Sequence, residues 1–189
     1  MTSATHSPSP LIRAETSALL VVDLQERLLP HIHDWQRILG HADWLVQVAQ
    51  RLGVPVAATE QYPKGIGHTH PLVAVRLPMG SVGAKMHFSC VSGNCLPGLP
   101  GMERSQIVVC GTEAHVCVLQ TVLELAAHGK QVFVVDEAVG SRDPAHKVLA
   151  LERMRQHGIT IVCREMVAFE WLHVAGTDVF REISKNFLK

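Results

Sequence analysis

Residues 106–118 read QIVVCGTEAHVCV, and this stretch decides the fold. Gln106 to Cys110 is a strand, apolar without a break from Ile107 on. A strand covered on both faces reads this way, whereas a strand with one wet face alternates. Gly111 breaks the run, and helical periodicity then extends from His115 to His128, with Gly129 behind it as a stop. A buried strand that turns straight into a helix belongs to a parallel sheet.

The same rhythm recurs on both sides. Ala18 to Val22 (ALLVV) is another apolar run, ending at Asp23. Trp35 to Leu52 carries apolar residues at helical spacing, among them Ile38, Leu45 and Val48, and Gly53 closes it. Val54 to Thr59 is a strand, with Pro55 near its start, where proline is tolerated. Glu60 to Gly80 is rich in Gly, Pro and His and reads as a long loop with a short helix near Pro71; Ser81 to Lys85 is a short strand. Gly93 to Gly101 is a run of turns. Further on come the strand Gln131–Val135, the helix Pro144–His157 capped by Asp143, the strand Ile159–Val162 and a last helix, Thr177–Phe187. This alternation predicts an α/β fold with a mostly parallel sheet and helices on both faces.

Composition excludes several classes of function. Of 189 residues, 47% are hydrophobic, enough for a large single core over residues 15–189. Lys and Arg together number 17 and balance 17 acidic residues, so no basic excess points to nucleic acid or to an anionic membrane. No apolar run approaches the length of a membrane span. Residues 1–14 read as a disordered tail without the basic start and apolar stretch of a signal peptide. Five cysteines, an odd number with no CxxC pair, point to a reducing compartment, and the cytoplasm is the expected location.

In a parallel sheet, ligands bind beyond the carboxyl ends of the strands. That rule selects Asp23, Glu60, Gln61, Lys85, Asp136 and the segment 111–117. Cys117 stands in the first turn of a helix, where the dipole favours a thiolate; otherwise it is a small buried hydrophobe. Asp23 is a proton acceptor for a thiol, or else a cap or turn residue. Lys85 is a cation that favours both anions, or else a snorkelling surface lysine. His115, two residues before Cys117, is placed to tune it. The pairs His31/His33 and His68/His70 lack the flanking carboxylates or cysteines of a metal site and read as solvated or capping residues. Arg142 in SRDP reads as part of a turn into a helix, or else as a side chain that reaches the rim. Neither GxGxxG, GxxxxGK[ST] nor GxSxG occurs, and no cofactor is expected.

The ordered set of Asp23 in VVDLQ, Lys85 in KMHFS and Cys117 in GTEAHVCV resembles the isochorismatase-like cysteine hydrolases, from about Ala18 to the final helix. TEQYPKGIG and EMVAFEWL are similar to a subgroup of isochorismatase-domain proteins. The resemblance implies a three-layer, Rossmann-like α/β/α sandwich with six strands. It implies a triad of Asp23, Lys85 and Cys117, in which Cys117 attacks a small-molecule amide or related C–N compound. It implies a cis peptide between Thr112 and Glu113, with the amides of Glu113 and Cys117 as oxyanion donors. Gln25, Gln61, Tyr62, Phe88 and His115 are the implied substrate contacts. The D-x-H metal motif of the family's nicotinamidases is absent after the second strand, so no metal is implied. A homo-oligomer, dimer or larger, is also implied, with Phe169, Trp171 and Leu172 as core or interface residues. Two other readings of the same fold are a binding or scaffold protein without turnover, and a thiol redox protein using Cys117 and a neighbour such as Cys90.

Overall fold

The computed structural model describes residues 11–188. One sheet of six parallel strands runs through them. In chain order the strands are β1 (Ser17–Val22), β2 (Val56–Gln61), β3 (Val82–Lys85), β4 (Gln106–Thr112), β5 (Gln131–Gly140) and β6 (Thr160–Val162). The helices are α1 (Trp35–Arg51), α2 (Pro63–Ile66), α3 (Pro71–Ala74), α4 (Leu119–Ala127), α5 (Pro144–Gln156), α6 (Arg164–Leu172) and α7 (Asp178–Phe187).

The spatial order is β3-β2-β1-β4-β5-β6. The chain winds outward from β1 to β3, then returns to the other side of β1 and winds outward again. The reversal lies between β1 and β4, whose ends pair at Val22 and Gly111. Parallel sheets open a crevice at such a point. Side-chain alternation explains the unbroken apolar runs. Leu19 and Val21 of β1 join the core under α1, α6 and α7, while Ala18, Leu20 and Val22 join the core under α4 and α5. Both faces are dry, so both alternating sets must be apolar.

Several elements differ from the sequence reading. β2 continues to Gln61 and β5 to Gly140, past the ends of their apolar runs, because their last residues bond to neighbouring strands instead of forming loops. The long loop contains two single-turn helices, α2 and α3, each begun by a proline. The helix expected from His115 is split: Ala114–Val118 forms a π-helical turn, and α4 starts at Leu119. Helix α6, unanticipated, covers EMVAFEWL; its Trp171 is buried and donates to Ser17 Oγ at 2.7 Å, whereas Phe169 stays half exposed.

The expected tail, 1–14, is too long. Residues 1–10 lie outside the described part, but Ile12 is fully buried and its amide donates to Glu170 Oε2 at 2.6 Å. The amide of Arg13 donates to Gln106 Oε1 at 2.8 Å. These bonds satisfy the backbone that a disordered segment would leave to water.

Candidate active site

β1 is followed directly by Asp23, whose φ of 49° turns the chain sharply at the strand end. Its backbone is fixed on both sides: its amide donates to Thr59 O of β2 at 3.1 Å, and its carbonyl accepts from Thr112 Oγ1 of β4 at 2.8 Å. The carboxylate is fully buried. Oδ1 accepts from Thr59 Oγ1 at 2.8 Å, and Oδ2 accepts from Lys85 Nζ at 2.7 Å. Lys85 ends β3, two strands away, and its side chain crosses the end of β2 to reach Asp23. On the way its ammonium donates to Gln61 Oε1, also at 2.7 Å. That oxygen lies 4.0 Å from Cys117 Sγ. Asp23, Lys85 and Cys117 thus meet at the switch point, exposed by only 0%, 3% and 5%.

The electrostatics follow from burial. Desolvation pulls the Lys85 ammonium down, but the Asp23 carboxylate and the sulfur of Cys117 outweigh it and hold its pKa above the ordinary value. Lys85 is therefore a cation at neutral pH. Cys117 goes the other way. Burial, and then the Asp23 anion, push its thiol well above the ordinary range, and Lys85 offsets only part of this. The expected lowering by a helix N-terminus is not found, because the π-helical turn sits inside the core and places the sulfur near a carboxylate. At rest Cys117 is a thiol.

The residues read as substrate contacts divide into groups. Gln25 is a clip. Its Nε2 donates to Gln61 O at 2.9 Å and to Gly67 O at 2.6 Å, and its Oε1 accepts from Gln61 N at 2.8 Å. Both amide hydrogens are spent on backbone, so Gln25 shapes the loop instead of facing a ligand. Gln61 is oriented by donating from Nε2 to Met86 O at 2.8 Å, which turns its carbonyl oxygen toward Lys85. Tyr62 and Phe88, 46% and 52% exposed, stand just beyond the ends of β2 and β3. Beside them, a cavity of about 390 Å³ is lined by Pro63, Lys85, Met86 and His87. His115 pairs through Nδ1 with Ser141 Oγ at 2.9 Å and packs against the His146 ring, so its partner is Ser141 and not Cys117. Burial, followed by the nearby His146 and Arg142 against the pull of Glu113, lowers its pKa and keeps the imidazole neutral.

The peptide between Thr112 and Glu113 is cis. Arg142 clamps the Glu113 carboxylate with two bonds, Nε to Oε1 at 3.0 Å and Nη2 to Oε2 at 3.2 Å. Arg142 therefore reaches the rim, the less favoured of its two readings. Glu60 is a latch on the loop: Oε1 accepts from Thr69 N and Oγ1, and Oε2 pairs with His68 Nδ1 at 3.0 Å. Burial alone would raise its pKa, but the bonds from Thr69 and His68 together lower it. Among the described residues, no three His, Cys, Asp or Glu side chains converge as a metal site. Thr59 was missed by the sequence reading. Its only signal is a hydroxyl near the end of an otherwise apolar strand.

The isochorismatase domain family model matches residues 17–166. Isochorismatase domain-containing protein 2A of Mus musculus is 35% identical over 182 residues, spanning 92% of this chain and 84% of that protein. A solved structure described as the MAR1 ribonuclease of Caenorhabditis elegans is 32% identical with a TM-score of 0.85, over 95% of this chain and 93% of that one. The YcaC gene product of Escherichia coli, described as an octameric hydrolase of unknown specificity, is 22% identical with a TM-score of 0.81, over 89% of this chain and 85% of that one.

Proposed function

This chain belongs to the isochorismatase family, and we propose that it is a cysteine hydrolase cleaving an amide or related C–N bond of a small molecule through a covalent thioester. The observation that carries this reading is the fully buried contact between Lys85 Nζ and Asp23 Oδ2, 2.7 Å long, with Cys117 at its edge. Burying two charges costs several kcal/mol each before their attraction repays it, on the order of what a core of apolar residues would avoid. A charged pair kept beside a thiol at a switch point suits chemistry better than packing.

In the proposed cycle, Cys117 Sγ attacks the carbonyl carbon as its proton passes to Asp23. The oxyanion is held by the amides of Glu113 and Cys117. When the intermediate collapses, the C–N bond breaks and Asp23 returns the proton to the leaving amine. Water then attacks the thioester, giving its proton to Asp23; the C–S bond breaks and the proton returns to sulfur. Lys85 stays cationic throughout and offsets the charge that moves between carboxylate and sulfur. The high resting pKa of Cys117 fits this scheme, because the proton leaves only as the carbon–sulfur bond forms.

The test is a panel of small amides, carbamates and ureas, assayed with the parent protein and with Cys117→Ala. Turnover by the parent and none by a folded Cys117→Ala supports the reading; equal turnover by both overturns it. The description of the worm relative as a ribonuclease puts RNA in the same panel. Cys117-dependent cleavage of RNA would replace the small-molecule substrate, although the balanced charge offers little to hold a phosphate backbone. A bound ligand without turnover would favour the scaffold reading.

We further take the working form to be a homo-oligomer located in the cytoplasm. Val148 and Leu149, exposed on α5, and the octameric state of the E. coli relative support the first. Five cysteines, all free of disulfides, support the second. No helix among the described residues is long and apolar enough to cross a membrane.

A further inference from the structure

A second pair of thiols lies behind the site. Between β3 and β4 the chain makes a tight turn through residues 89–95. Gly93 N donates to Ser89 O at 3.0 Å, Asn94 N to Val91 O at 2.9 Å and Cys95 N to Cys90 O at 3.2 Å. Asn94, with φ of 48°, supplies the left-handed residue that folds the turn back on itself. Cys95 is thereby laid over Cys90, and its sulfur is 3.5 Å from Cys90 O. The turn is fastened to α4 from two sides. Cys90 N donates to Thr121 Oγ1 at 3.0 Å, and Glu124 accepts from Ser89 Oγ at 2.6 Å and from Ser92 N at 3.0 Å. The pair is therefore held together by the folded structure and not only by closeness in sequence.

Cys90 also points into the active-site network. Its sulfur lies 3.7 Å from Thr59 Oγ1, the hydroxyl that donates to Asp23 Oδ1 at 2.8 Å. On its other side, the fully buried Cys90 lies in the wall of a cavity of about 330 Å³ formed with Val91, Leu96, Met102, Leu125 and His128. A molecule as small as a peroxide fits that space.

We propose that Cys90 and Cys95 are a peroxide-oxidised pair that closes to a disulfide beside the Asp23–Lys85 contact. The Cys90 thiolate attacks one oxygen of hydrogen peroxide. The O–O bond breaks, a sulfenic acid forms on Cys90, and the departing hydroxide takes up the thiol proton as water. The Cys95 sulfur then attacks the Cys90 sulfur, the S–O bond breaks, the S–S bond forms, and a second water leaves with the Cys95 proton. Two thiols lose two electrons and the peroxide gains them.

The order of events follows from the environment. The hydrogen bond from Cys95 holds the Cys90 thiol below its ordinary range, and the same bond pushes Cys95 up. Cys90 is the attacking sulfur and Cys95 the resolving one. The disulfide has no S–H to give to Thr59, so the oxidation state of the pair is felt at the hydroxyl that holds Asp23. The oxidation itself does not depend on which reaction Cys117 performs.

No lysine or arginine lies between Lys85 and Arg104, so trypsin releases both cysteines in one peptide, Met86–Arg104, and Cys117 in another, Ser105–Lys130, where fragmentation separates it from Cys110. The full-length protein is treated with hydrogen peroxide, blocked with iodoacetamide, digested and weighed. The expected result is loss of both labels from Met86–Arg104 with a mass lower by two hydrogens, restored by dithiothreitol. Cys117→Ser behaves like the parent. Cys95→Ser instead gives a Cys90 sulfenic acid that dimedone traps. The proposal is overturned if both cysteines stay labelled while Cys117 is oxidised, or if Cys90 is found linked to Ser105–Lys130. It is equally overturned if the disulfide forms no faster in folded protein than in urea.

Discussion

Replacing Lys85 with Met strands the Asp23 carboxylate in a site where both side chains are fully buried. At 2.7 Å, and with an effective dielectric of about 20, the attraction between the two charges is about 6 kcal/mol before desolvation is counted. Desolvation cancels part of it, and removing one partner of such a pair costs about 3–5 kcal/mol. For a chain of this size that lowers the melting temperature by roughly 6–20 °C. Asp23→Asn leaves the ammonium with only Gln61 Oε1 and costs a similar amount. The double variant Asp23→Asn/Lys85→Met buries no charge, while Thr59 still donates to the residue at 23, so its melting temperature lies closer to the parent than either single variant. The assay is thermal and urea unfolding of all four proteins, read as a double-mutant cycle. A coupling of at least about 2 kcal/mol is expected; additivity within about 0.5 kcal/mol would refute the claim that the two charges hold each other in place.

Three further outcomes follow from the same geometry. Burial and the Asp23 anion raise the Cys117 pKa. Iodoacetamide should therefore label Cys117 slowly at neutral pH and faster as the solution turns alkaline; Asp23→Asn shifts that profile to lower pH and Lys85→Met to higher, as fragmentation of the Ser105–Lys130 peptide, which separates Cys117 from Cys110, will show. Glu60 has its folded pKa depressed below an ordinary value of about 4.5, so its contribution is complete above that value and is lost as pH falls through the depressed one. Urea unfolding from about pH 5 to about pH 3 should show the parent losing stability more steeply than Glu60→Gln; equal slopes would contradict the latch. A side chain at Gly111, where φ is 121°, would place Cβ 1.9 Å from Val22 O, so Gly111→Ala is expected to yield no soluble folded protein, checked by expression and circular dichroism.

Much of this was legible because burial on both faces of a parallel sheet leaves a plain record. ALLVV and the IVVC that follows Gln106 are apolar without interruption, since residues of either parity meet a helix layer. The rule that ligands gather beyond strand ends then singled out Asp23, Lys85 and the 111–117 segment, and the structure brings Asp23, Lys85 and Cys117 to one point. What escaped was whatever depends on partners distant in sequence. Gln25 looks like any polar residue near a ligand, and only the carbonyls of Gln61 and Gly67 show it to be a clip. Arg142 looks like a turn residue until Glu113 is placed beside it. Helix α6 was hidden because Cys163, a poor sequence signal for a cap, receives the Met166 amide through sulfur at 3.4 Å.

The misreading of the Cys117 environment carries the most chemistry. A cysteine following a strand and opening a helix suggests a thiolate stabilised by backbone N–H groups. That inference assumes an α-helical first turn and a neutral neighbourhood, and neither holds, because Ala114–Val118 is a π-helical turn and Asp23 lies close to the sulfur. The dipole of one turn is worth well below a full charge, so a carboxylate in a dry site dominates it. In the proposed mechanism the nucleophile is therefore protonated at rest, and its base is already paired to the Lys85 cation. Such an arrangement withholds the thiolate until an electrophile arrives. A protonated Cys117 also lacks the thiolate that oxidants attack. Under the two proposals the sulfurs of Cys117 and Cys90 would have separate roles, one kept protonated for substrate and the other oxidised with Cys95.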